Sequence, residues 1–298
     1  MRVIFCGTLC PFSMASLRLL IEAGHDLCAI VIPTDRSIGG RSIVPLNPPQ
    51  LTAIPLIETT TAPTVVSIAW EHRIPVFQVN RLAAAETYTT FEQWQADVAC
   101  VACFPKRMPA ALLSMPRWGF LNIHPSLLPH YRGPYPLFWM LRQGDRRFGV
   151  TIHFMDEQWD TGDIAAQAEV ALPDGISGEE ADSTLAQYGA ELLLEVLDQL
   201  ENGHLVRRSQ PLGGSYFSAP QAADFEIDIT WSAQRAFNFM RGTSEWLRFY
   251  SIEVAGQRFI LKQALFYSSS EVLDQPYRLF RDQIDIQFSP GVLRALIA

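Results

Sequence analysis

Six consecutive apolar residues, Leu27-Cys-Ala-Ile-Val-Ile32, stand between Asp26 and Pro33. A strand built from that run has no polar face, so both of its sides must be covered. Such strands belong to parallel sheets with crossover helices on the two faces. The neighbouring sequence follows the same rule. Residues 2–6 form another apolar run, ending at Gly7-Thr8. Between the two runs Leu17, Leu20 and Ile21 recur at helical spacing, with Ser13 as the start cap and Gly24 as the stop. Further strands are predicted at 75–78, 98–102, 119–123, 148–154 and 164–170. Helices are predicted at 64–72, 88–95, around 109–115, at 136–143 behind Pro136, and at 179–200, where Ser177 is the cap and Gly203 lies just beyond the end. Residues 33–63 break the pattern with Gly39-Gly40 and several prolines, and read as a long irregular loop, functional or mobile.

The alternation predicts an α/β fold with a Rossmann-like, mostly parallel sheet. Composition shifts near 206–214. Beyond it a helix at 232–241 and strands at 226–229, 249–254, 258–262, 285–288 and 292–297 predict a small β-rich domain. The expected division is residues 1–205 and 206–298. A hydrophobic share of 48% and a charged share of 18% supply an ordinary core and exclude a disordered, collagen-like or coiled-coil chain. No apolar run is long enough for a transmembrane helix. The opening residues lack the length and cleavage site of a secretory signal. Cys6, Cys10, Cys28, Cys100 and Cys103 are odd in number and lie in apolar segments, which predicts buried, reduced thiols in a cytoplasmic protein. Cys100 and Cys103 have a zinc-like spacing, but an odd separation on a strand sends them to opposite faces, and no second pair exists, so no metal is expected. The turn Gly7-Thr8-Leu9 lacks the second glycine of a dinucleotide site. It is either a plain tight turn or an anion site at a helix start.

Two segments carry chemistry. In Asn122-Ile-His124-Pro125-Ser126-Leu127-Leu128-Pro129, Asn122 and His124 end a predicted strand and share one side of the sheet. Pro125 stops the strand at its carboxyl end, where open α/β sheets place their ligands. Asn offers an uncharged donor to a developing oxyanion, and His moves a proton near neutral pH. In Asp156-Glu157-Gln158-Trp159-Asp160-Thr161-Gly162, the acids form either a solvated turn or a source of one carboxylate that turns inward, orients His124 and raises its pKa.

With Asn122-x-His124, the Pro-Ser-Leu-Leu-Pro129 that follows, and Asp160-Thr-Gly162, the chain resembles the N10-formyltetrahydrofolate-dependent formyltransferases over about residues 1–205. Gly214-Ser-Tyr216, Ile227-Asp228 and Met240-Arg241-Gly242 extend the likeness toward the tRNA-acting branch, which implies an OB-like second domain. The resemblance implies formyl transfer from 10-formyltetrahydrofolate to a primary amine without a metal. Asn122 would donate to the oxyanion, His124 would stabilise charge and shuttle the proton, and Asp160 would orient His124. Arg107, Met108, Glu157, Gln158 and Trp159 would form the turns of the folate slot, with Ser126, Leu127, Leu128 and Pro129 along it. Met108 and Trp159 read equally well as core residues. Arg132 either meets the acceptor or pairs with an acid.

The acceptor the resemblance implies is initiator methionyl-tRNA. Charge favours a small amino compound such as a nucleotide-linked amino sugar. The net charge is −8, Lys106 and Lys262 are the only lysines, and the 33–63 loop carries only Arg36 and Arg41 as bases. Glu245-Trp246-Leu247-Arg248 also departs from the Pro-Trp-Pro-Gly of the tRNA-acting enzymes. Hydrolysis of the formyl donor is a further alternative, but it leaves the second domain unexplained.

Overall fold

The computed structural model describes residues 1–36, 38–48 and 63–298. Two compact units emerge. The first gathers Met1–Arg132, Gly149–Ala168 and Leu185–Gly214, and the second Gly133–Phe148, Glu169–Thr184 and Ser215–Ala298.

An eight-stranded sheet contains β1 (Arg2–Gly7), β2 (Asp26–Pro33), β3 (Ile43–Pro45), β4 (Val76–Val79), β5 (Val98–Ala102), β6 (Phe120–His124), β7 (Phe148–Phe154) and β8 (Ile164–Val170), in the order β3-β4-β2-β1-β5-β6-β7-β8. The pairs from β4 through β2, β1 and β5 to β6 are parallel. β3 on β4 and β7 on β6 are antiparallel. Helices α1 (Pro11–Glu22), α2 (Val65–Glu71), α3 (Ala85–Trp94), α4 (Ala110–Leu113), α5 (Pro136–Gln143) and α6 (Gly178–Glu201) complete the first 201 residues. Every residue of β5 and β7 is buried; β5 is an unbroken apolar run, whereas β7 also buries the polar Thr151 and His153. Within the long loop, β3 forms and Asn80 donates its backbone N–H to Ser42. Residues 37 and 49–62 of that loop lie outside the described residues.

Two local expectations are corrected. The N-cap of α1 is Cys10, whose sulfur accepts from the Ser13 N–H. Ser13 instead ties strand ends together, donating through Oγ to the Ala102 carbonyl. The cysteines are not all buried: Cys103 is exposed and Cys10 half-buried, because both lie just past strand ends rather than within strands.

The second unit holds a six-stranded sheet of β9 (Glu226–Ile227), β10 (Tyr250–Val254), β11 (Gln257–Ser268), β12 (Tyr277–Leu279), β13 (Gln283–Gln287) and β14 (Val292–Ile297), ordered β12-β13-β14-β11-β10-β9. Helix α7 (Ala233–Gly242), capped by Ser232, buries Ala236, Phe239 and Met240. Phe239 joins an aromatic cluster with Phe138, Phe225, Trp231 and Tyr250.

Candidate active site

β6 carries Asn122 and His124 on one face. The antiparallel register sets His153 opposite Asn122 and Thr151 opposite His124. Residues opposite each other in a ladder share a face, so four polar side chains converge from two largely apolar strands.

Asp160 comes from the β7–β8 connection. Gly162 lets that connection fold close, because a Cβ there would stand 1.9 Å from the Phe154 carbonyl oxygen. Gln210 donates through Nε2 to the carbonyls of Asp160 at 2.8 Å and Gly162 at 2.9 Å. Arg132 donates from Nε to the Asp160 carbonyl at 3.2 Å and from Nη2 to Gln210 Oε1 at 2.6 Å. Arg132 therefore holds the backbone beneath Asp160. The Asp160 side chain, only 10% exposed, turns inward from a left-handed residue with φ 57°. Asp156 and Asp163 do not occupy its place: Asp156 accepts from Thr161 and Asp163 from Ser209.

The hydrogen bonds assign the imidazole tautomers. His124 Nε2 lies 2.9 Å from the Tyr131 carbonyl, which can only accept, so Nε2 carries a hydrogen. Its Nδ1 faces Asp160 Oδ1 at 3.6 Å. His153 Nδ1 lies 3.0 Å from the Phe154 carbonyl, which leaves the lone pair of the neutral ring on Nε2. That nitrogen accepts from Asn122 Nδ2 at 3.1 Å and so fixes which way the amide points. Asp160 Oδ1 is 3.5 Å from both His153 Nε2 and Asn122 Nδ2. One carboxylate oxygen thus faces all three side chains.

The expected rise in the His124 pKa is corrected. Burial is the largest influence and holds the group below its ordinary 6.5. Asp160 pushes upward without overcoming desolvation, and His153 and Arg132 add to the lowering. At neutral pH the ring is a neutral base whose Nδ1 lone pair faces Asp160.

Among the expected slot residues, the structure separates surface from support. Arg107 is exposed and donates through Nη2 to the Glu157 carbonyl, joining the two turns. Glu157, Gln158 and Trp159 are exposed and Leu127 partly so. Met108 is buried in a cluster with Phe104, Leu112 and Phe120. Ser126 is fully buried and donates to the His130 carbonyl at 2.7 Å. Leu128 is buried too; its N–H bonds Thr151 Oγ1 and its carbonyl accepts from Gln167. Pro129 is buried, with Gly214 pressed against its carbonyl. Met108, Ser126 and Leu128 therefore hold the turns in shape rather than offer side chains. The sequence alone assigns no role to His153 or Thr151. Their signal was present: two polar residues at spacing two in an otherwise apolar strand.

The sequence profile of the formyl transferase family matches residues 23–197. The chain belongs to the formyl transferase family. A methionyl-tRNA formyltransferase of Pelotomaculum thermopropionicum is 34% identical to this formyl transferase over 249 residues, covering 83% of this chain and 73% of the relative. Another, from Syntrophomonas wolfei subsp. wolfei, is 30% identical and covers 99% of this chain and 90% of the relative. Among solved structures, the sugar 3N-formyl transferase WlaRD, studied in the presence of dTDP and 5-N-formyl-THF, shares the fold with a TM-score of 0.69 at 14% identity, covering 100% of this chain and 97% of that one. An N-formyltransferase from Helicobacter canadensis, in complex with folinic acid and dTDP-3-aminofucose, gives a TM-score of 0.68 at 14% identity, covering 100% and 99%.

Proposed function

We propose that this formyl transferase moves a formyl group from 10-formyltetrahydrofolate to the amino group of initiator methionyl-tRNA, with Asn122, His124 and Asp160 as its catalytic residues. The observation that carries the reading is the convergence of the three side chains on one edge of the sheet. Residues 1–205 would form the catalytic domain and 206–298 an OB-like second domain, in a cytoplasmic enzyme. Among the described residues no helix is long and apolar enough to cross a membrane.

The slot residues fit a folate. Two turns held side by side by Arg107 and the Glu157 carbonyl offer backbone polar groups, and Trp159 and Leu127 add apolar surface. When bound, 10-formyltetrahydrofolate supplies the formyl carbon and a nitrogen that leaves. The chain does the rest. Asn122 already gives one amide hydrogen to His153. Its other hydrogen is held by Asp160 Oδ1 in a long bond of 3.5 Å, which the oxygen on which negative charge develops would displace. His124 Nδ1 takes the proton released by the attacking amine and returns it to the departing nitrogen. Asp160 Oδ1 stabilises the imidazolium formed between these transfers. Single-turnover assays on Asn122→Ala and His124→Ala test this. Each should slow formyl transfer by about 10²–10³, the usual effect of losing one such donor. Near-normal turnover in either would overturn the assignment.

A small amino compound is the second reading, favoured by charge. Arg41, one of the two bases of the 33–63 loop, is already paired with Glu86 at 2.6 Å. Side-by-side assays with charged initiator tRNA and a nucleotide-linked amino sugar, across a salt series, discriminate the two. A tRNA enzyme should lose affinity steeply with salt. Absence of tRNA binding at low salt would favour the small amine.

A further inference from the structure

Three of the five cysteines are inert by placement. Cys6, Cys28 and Cys100 are buried in the sheet, and burial raises the pKa of each. Cys10 and Cys103 differ. β1 and β5 are parallel neighbours with Gly7 opposite Ala102. Cys103 follows β5 directly, exposed and in a left-handed conformation with φ 54°. Cys10 follows β1 through a short turn and caps α1. The Cys10 sulfur is hydrogen-bonded by Cys103, and the Ser13 N–H and Oγ each lie 3.4 Å from it. Ser13 Oγ also accepts from the Thr8 N–H at 3.1 Å and donates to the Ala102 carbonyl at 2.8 Å, so one hydroxyl locks both turns in place. The bond from Cys103 is the largest influence on Cys10 and, against burial, pulls its pKa down to about 5. One sulfur is thus a half-buried thiolate at neutral pH, hydrogen-bonded by a second, exposed thiol.

We propose that Cys10 and Cys103 form a reversible thiol–disulfide modification site, oxidised by hydroperoxides, at the carboxyl edge of the sheet. The Cys10 thiolate attacks the peroxide oxygen, an S–O bond forms, and the O–O bond breaks to release an alcohol that takes up a proton. The Cys103 thiol then attacks the Cys10 sulfur. The S–S bond forms, the S–O bond breaks, and water leaves with the thiol's proton. Two thiols lose two electrons and one hydroperoxide gains them. Ala102 is also opposite Ile123 on β6, so Cys103 leaves its strand at the level of His124 and opens the turn that carries Arg107 and Met108. The disulfide would fix that turn and weaken binding of the formyl donor. This last step rests on the folate reading above; the thiol chemistry does not.

The test treats the intact protein with dilute cumene hydroperoxide, quenches, denatures and counts alkylated thiols by mass. The count should fall from five to three, with a Cys10–Cys103 peptide, and dithiothreitol should restore it. Cys10→Ser and Cys103→Ser should each abolish the disulfide while keeping formyl transfer. A count that stays at five, or a disulfide between other cysteines, would overturn the site. A Cys10–Cys103 disulfide that leaves the KM for the formyl donor unchanged would overturn the coupling to the slot. The thiol count stands even if the protein proves to transfer no formyl group.

Discussion

Thr151→Val removes one hydroxyl and almost no volume, so its effect isolates hydrogen bonding. Thr151 is fully buried. Its Oγ1 donates to the Ser126 carbonyl at 2.6 Å and accepts from the Leu128 N–H at 3.1 Å and from Gln167 Nε2 at 3.0 Å. Valine strips all three bonds. Gln167 keeps the Leu128 carbonyl at 2.8 Å, so it is only partly deprived. The Ser126 carbonyl and the Leu128 N–H lose the partner they share. Leaving a buried group unsatisfied costs about 1–3 kcal/mol, so the two together predict a loss of roughly 2–6 kcal/mol. Chemical denaturation followed by tryptophan fluorescence reads this as a lower midpoint at unchanged slope. The hydroxyl also holds residues 126–129 beside His124, so the KM for the formyl donor should rise more than kcat falls. A stability change under about 1 kcal/mol with an unchanged KM would refute the reasoning, because a buried, triply bonded hydroxyl cannot be that cheap to remove.

Gly162→Ala should drop formyl transfer by about two orders of magnitude or more through displacement of Asp160, since the new Cβ meets backbone at 1.9 Å and not a side chain that can swing away. A folded variant with full activity, judged by circular dichroism and rate, would show that the loop tolerates the methyl. Asp160→Asn removes the one charge that raises the His124 pKa, so the acid limb of the pH–rate profile should move further below 6.5 while kcat falls. A limb that moves to higher pH would reverse the assigned roles of burial and charge. His153→Phe deprives Asn122 of its acceptor and should lower kcat with little change in KM. Combined with Asn122→Ala it should add almost nothing, and a fully multiplicative loss would mean that His153 acts on its own.

Where side chains repeat with a clean period, the sequence sufficed. The bounds of β5, β7, β8 and α5 are those read from apolar runs and from Pro136. The reading stopped at Lys262 in β11, which continues to Ser268. The reason is physical: the register slips twice along that strand, between Leu261 and Gln263 and between Ala264 and Phe266. Each slip turns the alternation over, so no period of two survives to be read. Asn122 and His124 were legible because residues two apart on one strand share a face whatever the fold. His153 was not, because its place beside Asn122 depends on which strand pairs with β6 and in what register. The His124 pKa shift ran opposite to expectation for a related reason. A carboxylate can be seen in sequence, whereas the depth at which the imidazole is buried is a property of the assembled sheet.

His124 is gripped from two sides by residues in left-handed backbone, Tyr131 with φ 58° and Asp160 with φ 57°. Such conformations cost of order 1–3 kcal/mol in a residue with a side chain, and glycine escapes the penalty. The two positions nonetheless differ in what evolution could do with them. Tyr131 serves His124 through its carbonyl, which every amino acid possesses, so glycine there could relieve the strain and keep the acceptor. In the proposed mechanism Asp160 serves through its carboxylate, so the same relief would silence the enzyme. A screen for thermal resistance that ignores turnover would therefore enrich glycine at both places. Only a screen that also demands catalysis would retain the aspartate, and the difference between the two outcomes marks where stability and activity part company in this chain.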